Sequence, residues 1–166
     1  MSSAMTVSFW LRPLSSGAEG MLINKEGEYE VARYGDNSIR WAFANSSPGW
    51  AYVNTGISIS QNVWSHITII YSSGVVKTYL NGVIAHTYNG SGNIGDAHPT
   101  ENEFRIGSRQ YVCQPNFNGD MDEIALYNRA LIAQEVTLLY DGPVIPEPTS
   151  FFLLFLTMIL YLLIMK

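Results

Sequence analysis

Carboxylates are the residues of this chain whose spacing first suggests chemistry. Glu26, Glu28 and Glu30 recur at every second position, and a retaining glycosidase needs two carboxyl groups about 5 Å apart beside its substrate. Gly27 interrupts the series at what reads as a turn, so these residues straddle a hairpin instead of lining one strand. Asp120 and Asp122 alternate onto one strand face, but the next residue on that face is the apolar Ile124 and no third carboxylate follows. His66, His86 and His98 have no Ser or Cys in a nucleophile context. No catalytic residue is assigned. Aromatic rings offer a different chemistry. Trp50 and Tyr52 follow the loop Asn45-Ser-Ser-Pro-Gly49, and Tyr111 sits in a loop between strands. Rings at a loop rim suit sugar stacking, because they bury an apolar sugar face while the hydroxyls stay wet. These three are the candidate ligand-binding residues, set against the plainer reading that they pack the core or its rim.

The elements that must position these groups are short strands. Thr6–Leu11 alternates Val7, Phe9 and Leu11 against Ser8 and Trp10. Residues 21–24 and 29–34 flank the turn at Glu26-Gly27, and 38–44 puts Ile39, Trp41 and Phe43 on one face. Residues 63–71 set Val63, Ile67, Ile69 and Tyr71 on one side and Trp64, His66 and Thr68 on the other. Residues 75–80 and 83–88 are joined by Asn81-Gly82, a strong hairpin signal because both residue types tolerate positive φ. Residues 104–107 and 121–127 complete the set, and a short helix is expected over 132–140 with Val136, Leu139 and Tyr140 toward the sheet. Ile132 stands at its N-cap, where a hydroxyl belongs, with Glu135 in the acidic position of a capping box. Regular short strands with Gly and Asn turns predict an all-β, antiparallel β-sandwich of jelly-roll type.

Composition agrees. Among 166 residues the aromatic share is 13%, glycines number 14, and charged residues reach only 14%, against about a quarter in ordinary domains. Net charge is −5 and the nine Lys and Arg are scattered, so no basic stripe exists to displace phosphate counterions and nucleic acid is excluded as a partner. The single cysteine, Cys113, precludes an intrachain disulfide or a Cys-rich zinc site.

Three ordered motifs carry a resemblance. Thr6-Val-Ser-Phe-Trp-Leu-Arg-Pro13 is similar to the early core strand of laminin-G-like (concanavalin A-like) jelly rolls. Trp64-Ser-His66 followed by Tyr79-Leu-Asn81-Gly82 resembles the central hairpin of that fold. Phe117-Asn-Gly119-Asp-Met-Asp122-Glu123-Ile-Ala-Leu-Tyr127-Asn-Arg129-Ala130-Leu131, with Glu135 and Tyr140, resembles the closing strand and short helix. Such domains normally have a strand before the Thr6 motif, so residues 1–142 are expected to form a jelly roll lacking its first strand. The resemblance also implies a calcium ligand at Asp122, against the reading that Asp122 and Glu123 satisfy backbone donors or face solvent. A fold that hosts lectins, adhesins, hydrolases and spacers does not name its ligand.

The C-terminus adds a second resemblance. Residues 143–150 form a Pro-rich linker containing Pro146-Glu147-Pro148, and 151–166 form a hydrophobic tail in which Lys166 is the only charge. Fifteen uncharged residues in a helix span about 22 Å, short of the ~30 Å hydrocarbon core, yet they are apolar on every face. Pro-Glu-Pro, an apolar run and a terminal basic residue resemble the PEP-CTERM sorting signal of exported bacterial proteins, which implies recognition by an exosortase-type enzyme and insertion of 151–165 in a membrane. The first twelve residues have neither a basic nor an apolar signal-peptide region, so the chain is expected to continue a longer exported one. The combined expectation is a non-enzymatic binding module of the cell envelope or extracellular surface, anchored at least transiently by its tail. Its partner would be a carbohydrate or surface glycan, or another protein. A glycoside hydrolase relative and a structural or protein-interaction spacer are the alternatives.

Overall fold

Period-two burial stacks two five-stranded antiparallel sheets in the computed structural model, which describes residues 2–101, 103–110 and 116–142. The strands are β1 (Ala4–Pro13), β2 (Gly20–Lys25), β3 (Tyr29–Arg33), β4 (Ser38–Phe43), β5 (Val53–Ser58), β6 (Ser65–Ser72), β7 (Val75–Leu80), β8 (Val83–Asn89), β9 (Phe104–Ile106) and β10 (Gly119–Tyr127), followed by helix α1 (Ala133–Asp141). One sheet runs β10-β1-β6-β7-β8 and the other β5-β4-β3-β2-β9. Between them lie Val7, Phe9 and Leu11 of β1, Ile67, Ile69 and Tyr71 of β6, and Val31, Ile39, Trp41 and Phe43 of the facing sheet. All are at most 1% exposed. Burying each such side chain contributes roughly 1.5–3 kcal/mol before the entropy of ordering is subtracted.

The first sheet is covered on both faces. Its outer side carries α1, where Val136, Leu131, Ile70 and Tyr79 form a second apolar cluster joined by Leu139 and Tyr127. That explains why β6 is buried without a break from Ser65 to Tyr71. Beneath the helix the outward face of β1 is polar but satisfied: Thr6 Oγ1 donates to Arg129 O at 2.8 Å and accepts from Leu131 N at 3.1 Å. Ile132 does stand at the N-cap, and Glu135 Oε2 accepts its N–H at 2.9 Å. The reciprocal half of the capping box has no acceptor, because isoleucine lacks a polar side chain.

Four details depart from the sequence-based expectation. Strand β5 was unexpected, because Asn54 and Gly56 dilute its pattern; Val53, Thr55 and Ile57 turn inward, and Gly56 has φ 72°. Val63 and Trp64 precede β6 and are exposed. The helix begins at Ala133 and ends at Asp141. The β1–β10 register shifts between Ser8 and Trp10, and Glu123 has φ 48°, so β10 contains a bulge. The bulge reverses the alternation: Met121 and Ile124 both pack on the core, and Ile124 does not share a face with Asp122. The Asn81-Gly82 turn matches its signal, with φ 50° and 77°. Tyr111, Cys113, the Pro146-Glu147-Pro148 motif and the tail lie outside the described residues. Among the described residues no helix is long and apolar enough to cross a membrane.

Phe9, fully buried at the centre of the core, gives a direct test of this packing. Phe9→Ala is expected to lower unfolding stability by about 3–5 kcal/mol, whereas Val83→Ala, at an exposed edge, should change it by less than about 0.5 kcal/mol. Denaturant midpoints of the two variants measure the difference.

Candidate functional site

A cleft of about 420 Å³ opens on the outer face of the first sheet, lined by Trp10, Trp64, Asp122, Glu123, Tyr140, Asp141 and Gly142. Each side chain arrives for a local reason. Phe9 and Leu11 are drawn inward, so Trp10 between them faces out. Tyr140 comes from the last turn of α1 and stacks on Trp10, with ring centroids 5.6 Å apart and planes 26° from parallel. The Asn81-Gly82 turn backs it: a Cβ built on Gly82 would lie 3.1 Å from the Tyr140 ring. His66 lies behind both rings, its centroid 5.1 Å from Trp10 and 6.0 Å from Tyr140. Trp64 remains 39% exposed, and the Arg12 guanidinium sits 5.4 Å from its ring centroid. Arg12 is itself paired with Asp120 at 2.6 Å.

The bulge supplies the acidic wall. Where a regular strand would send successive side chains to opposite faces, the extra residue leaves Asp122 and Glu123 both exposed and both in the cleft. Asp122 Oδ1 accepts the Glu123 N–H at 2.8 Å, so one oxygen of Asp122 stabilises the bulge. Among the described residues no group of three or more His, Cys, Asp and Glu side chains is arranged to hold a metal ion.

The glutamates of the β2–β3 hairpin have another fate. Asn24 stands opposite Glu30 in the ladder, and its Nδ2 donates to Glu30 Oε1 at 2.7 Å and to Glu26 Oε2 at 3.2 Å. Arg109 closes the group with a bidentate contact to Glu26 at 2.7 and 2.8 Å, its Nε also 2.9 Å from Glu30 Oε1. Glu26 and Glu30 are 0% and 1% exposed, while Glu28 points away to Lys25 at 3.5 Å. The hairpin thus unites Glu26 and Glu30, as spacing along one strand did not suggest. Burial pushes Glu30 up to about 7, helped by the neighbouring Glu26 charge and resisted by Tyr52 and Arg109. Burial opposes ionisation of Glu26 too, but the Arg109 fork and the Asn24 amide outweigh it and hold that carboxyl below its ordinary range. Sealed from solvent, the pair braces the sheet and presents nothing to a substrate.

Of the aromatic candidates, Tyr52 donates its hydroxyl to Glu30 and meets Tyr34 edge-on at 5.4 Å. Trp50 packs edge-on against His98 at 6.2 Å. Neither lines the cleft, and Tyr111 lies outside the described residues. His66 meets a serine that its sequence neighbourhood did not show. Its Nε2 is 2.8 Å from Ser8 Oγ, which also lies 3.2 Å from Thr68 Oγ1. Both residues are at most 2% exposed, and His66 Nδ1 has no hydrogen-bond partner among the described residues, so the pair reads as interior polar packing. Burial pushes the His66 imidazole down, toward the neutral form. Trp10, Trp64, Tyr140 and Glu123 were the residues sequence reasoning passed over. The available signal was Trp10, an outward-facing tryptophan between two inward-facing apolar residues.

The buried pair has a measurable pH signature. Glu30 takes up a proton more readily folded than unfolded, so its stabilising contribution is complete below the unfolded value and lost as pH rises through about 7. The depressed His66 acts oppositely over neighbouring pH values, which makes a difference measurement necessary. Relative to wild type, Glu30→Gln should gain up to about 2 kcal/mol of unfolding stability between roughly pH 5 and 8. Denaturant melts at both pH values read it, and a difference that stays flat would mean Glu30 is ionised throughout.

Known proteins share this scaffold. The family model of the concanavalin A-like lectin/glucanases superfamily matches residues 1–137. The human adhesion G-protein coupled receptor D1 is 27% identical over 143 residues, a match covering 80% of this chain and only 15% of the receptor. Among solved structures, domain 4 of AbnA, a GH43 extracellular arabinanase from Geobacillus stearothermophilus in complex with arabinotriose, superposes with a TM-score of 0.61 at 24% identity, over 84% of this chain and 67% of that one. A candidate carbohydrate binding protein from Bacteroides ovatus superposes with a TM-score of 0.67 at 18% identity, over 81% of this chain and 40% of its own. At such identities the structural matches establish the fold.

Proposed function

The chain belongs to the concanavalin A-like lectin/glucanases superfamily, and from that premise we propose that it is a non-enzymatic module binding carbohydrate in the cleft of Trp10, Trp64 and Tyr140. The observation that carries this reading is the stacked Trp10–Tyr140 pair beside an exposed Trp64. Two aromatic surfaces bury the C–H face of a sugar ring, and the adjacent carboxylates of Asp122, Glu123 and Asp141 accept hydrogen bonds from its hydroxyls. The cleft volume lies in the ordinary range of small-ligand sites, about 300–1,000 Å³. Two structural relatives, one solved with arabinotriose and one a candidate carbohydrate binder, support the ligand class. The sealing of Glu26 and Glu30 removes that pair from any role in hydrolysis, because a glycosidase must bring both carboxyl groups to its substrate. Calcium at Asp122 would call for oxygen donors beyond those described, and calorimetric titration with the ion reads that directly.

Delivery to the cell envelope is the second part of the proposal. It rests on the Pro146-Glu147-Pro148 motif and the apolar run 151–165, with an exosortase-type enzyme as processing partner and the membrane as anchor. Replacing the three motif residues by alanine should abolish processing in a host that carries such an enzyme, read by intact mass of the recovered protein; unchanged processing would leave the tail as an ordinary anchor.

A glycan array probed with the full chain tests the binding reading. Bound glycans should lose affinity by at least about tenfold in Trp64→Ala, the scale for removing a central aromatic contact, while Trp50→Ala binds as wild type. An array without hits, or loss confined to Trp50→Ala, would move the site away from this cleft.

A further inference from the structure

Resting on the carbohydrate reading of the same cleft, we infer that its ligand is an amino sugar bearing a free ammonium group, selected over neutral and acidic sugars. Among the described residues the lining side chains include three carboxylates, Asp122, Glu123 and Asp141, and no lysine or arginine. None of the three has a salt-bridge partner among the described residues. The nearby guanidinium of Arg12 is held by Asp120, which leaves the acidic wall without a counter-charge of its own. A cleft lined by one sign of charge focuses its field outward and favours a ligand of opposite sign.

The aromatic side of the cleft points the same way. Indole faces attract cations through the ring quadrupole, tryptophan most strongly. The protein already uses this affinity, since Arg12 is placed over Trp64. An amino sugar satisfies both walls at once: its C–H face lies on Trp10 and Tyr140, and its ammonium donates to the carboxylates as a charge-assisted hydrogen bond. An N-acetylated sugar offers the same ring with a neutral amide. A uronic acid brings a carboxylate toward three others and is repelled. The bulge makes the arrangement specific, because it turns two consecutive acidic side chains to one side of a strand that would otherwise present one.

Calorimetry with the full chain, at a pH where the amine is protonated, separates the possibilities. The probes are a glucosamine oligomer, its fully N-acetylated counterpart, an oligogalacturonate, and choline, which carries the positive charge without a ring. The glucosamine oligomer should bind roughly tenfold or more tightly than the N-acetylated form, the galacturonate should not bind, and about 0.5 M salt should erase most of the preference. Asp122→Asn keeps the oxygen that accepts the Glu123 N–H, and Glu123→Gln keeps the side-chain shape. Each should shrink the preference, taken as the ratio of the two affinities measured on the same variant, several-fold, with thermal melts confirming that both variants fold. Equal or tighter binding of the N-acetylated oligomer, or an undiminished preference in both variants, overturns the inference and leaves the carbohydrate reading standing. Choline binding as tightly as the glucosamine oligomer overturns it in favour of a simple ammonium site. If no oligosaccharide binds, both readings fall together.

Discussion

Strand β1 is the constraint on which the rest of the molecule depends. Over Ala4–Pro13 it is hydrogen-bonded to β6 on one side and to β10 on the other. Its inward residues, Val7, Phe9 and Leu11, sit at the centre of the sandwich. Its outward residues have separate tasks: Thr6 anchors the segment leading into α1, Ser8 joins the polar pair with His66, and Trp10 floors the cleft. Because the side-chain period is two, a slip of one residue would send Trp10 into the core and Phe9 into the cleft. Fold and site are therefore specified by one register, and what destabilises the strand also dismantles the cleft.

The two sheets use their outer faces differently. The first covers its central strands with an apolar helix and leaves one end open as an aromatic cleft. The second buries Asn24, Glu26 and Glu30 beneath the half-buried Tyr52 and Arg109, a segment-crossing ion pair whose carboxylates are shielded from water. Such a group adds little net stability, since desolvation offsets most of its Coulomb energy, but removing one partner strands a buried charge at a cost of about 3–5 kcal/mol. Its effect is to fix geometry. Arg109 can satisfy Glu26 and Glu30 together only when the β2–β3 hairpin and the segment after β9 are docked in one arrangement.

Most of the scaffold was legible in the sequence because it follows local rules. The alternation of β1, β4 and β6 reported which face meets the opposite sheet, and Asn81-Gly82 reported its own turn. What was hidden depends on partners distant in the chain. Strand β5 is held by pairing to β4 and by Thr55 and Ile57 turning inward, although Asn54 and Gly56 argue against a strand locally. Tyr52 read as a rim platform until Glu30 claimed its hydroxyl. The meeting of Trp10 with Tyr140 requires α1 to fold back over the first sheet, which no window around either residue contains.

The bulge at Asp122-Glu123 shows why the site was harder to read than the fold. A strict two-residue period assigns Asp122 and Ile124 to one face and Glu123 to the other, and that assignment is self-consistent. The chain instead holds Glu123 at positive φ, a conformation disfavoured for a residue with a Cβ, with the Asp122 side chain capping the distorted backbone. The core tolerates the irregularity because it keeps Met121 and Ile124 together on the inner side. The pairing register also shifts in β2–β3, β4–β5 and β7–β8, but the irregularity in β10 lies beside an open cleft and there changes the arrangement of charge. Departures of this kind concentrate where a protein's surface has work beyond folding, and here the departure is what sets two carboxylates next to the tryptophans.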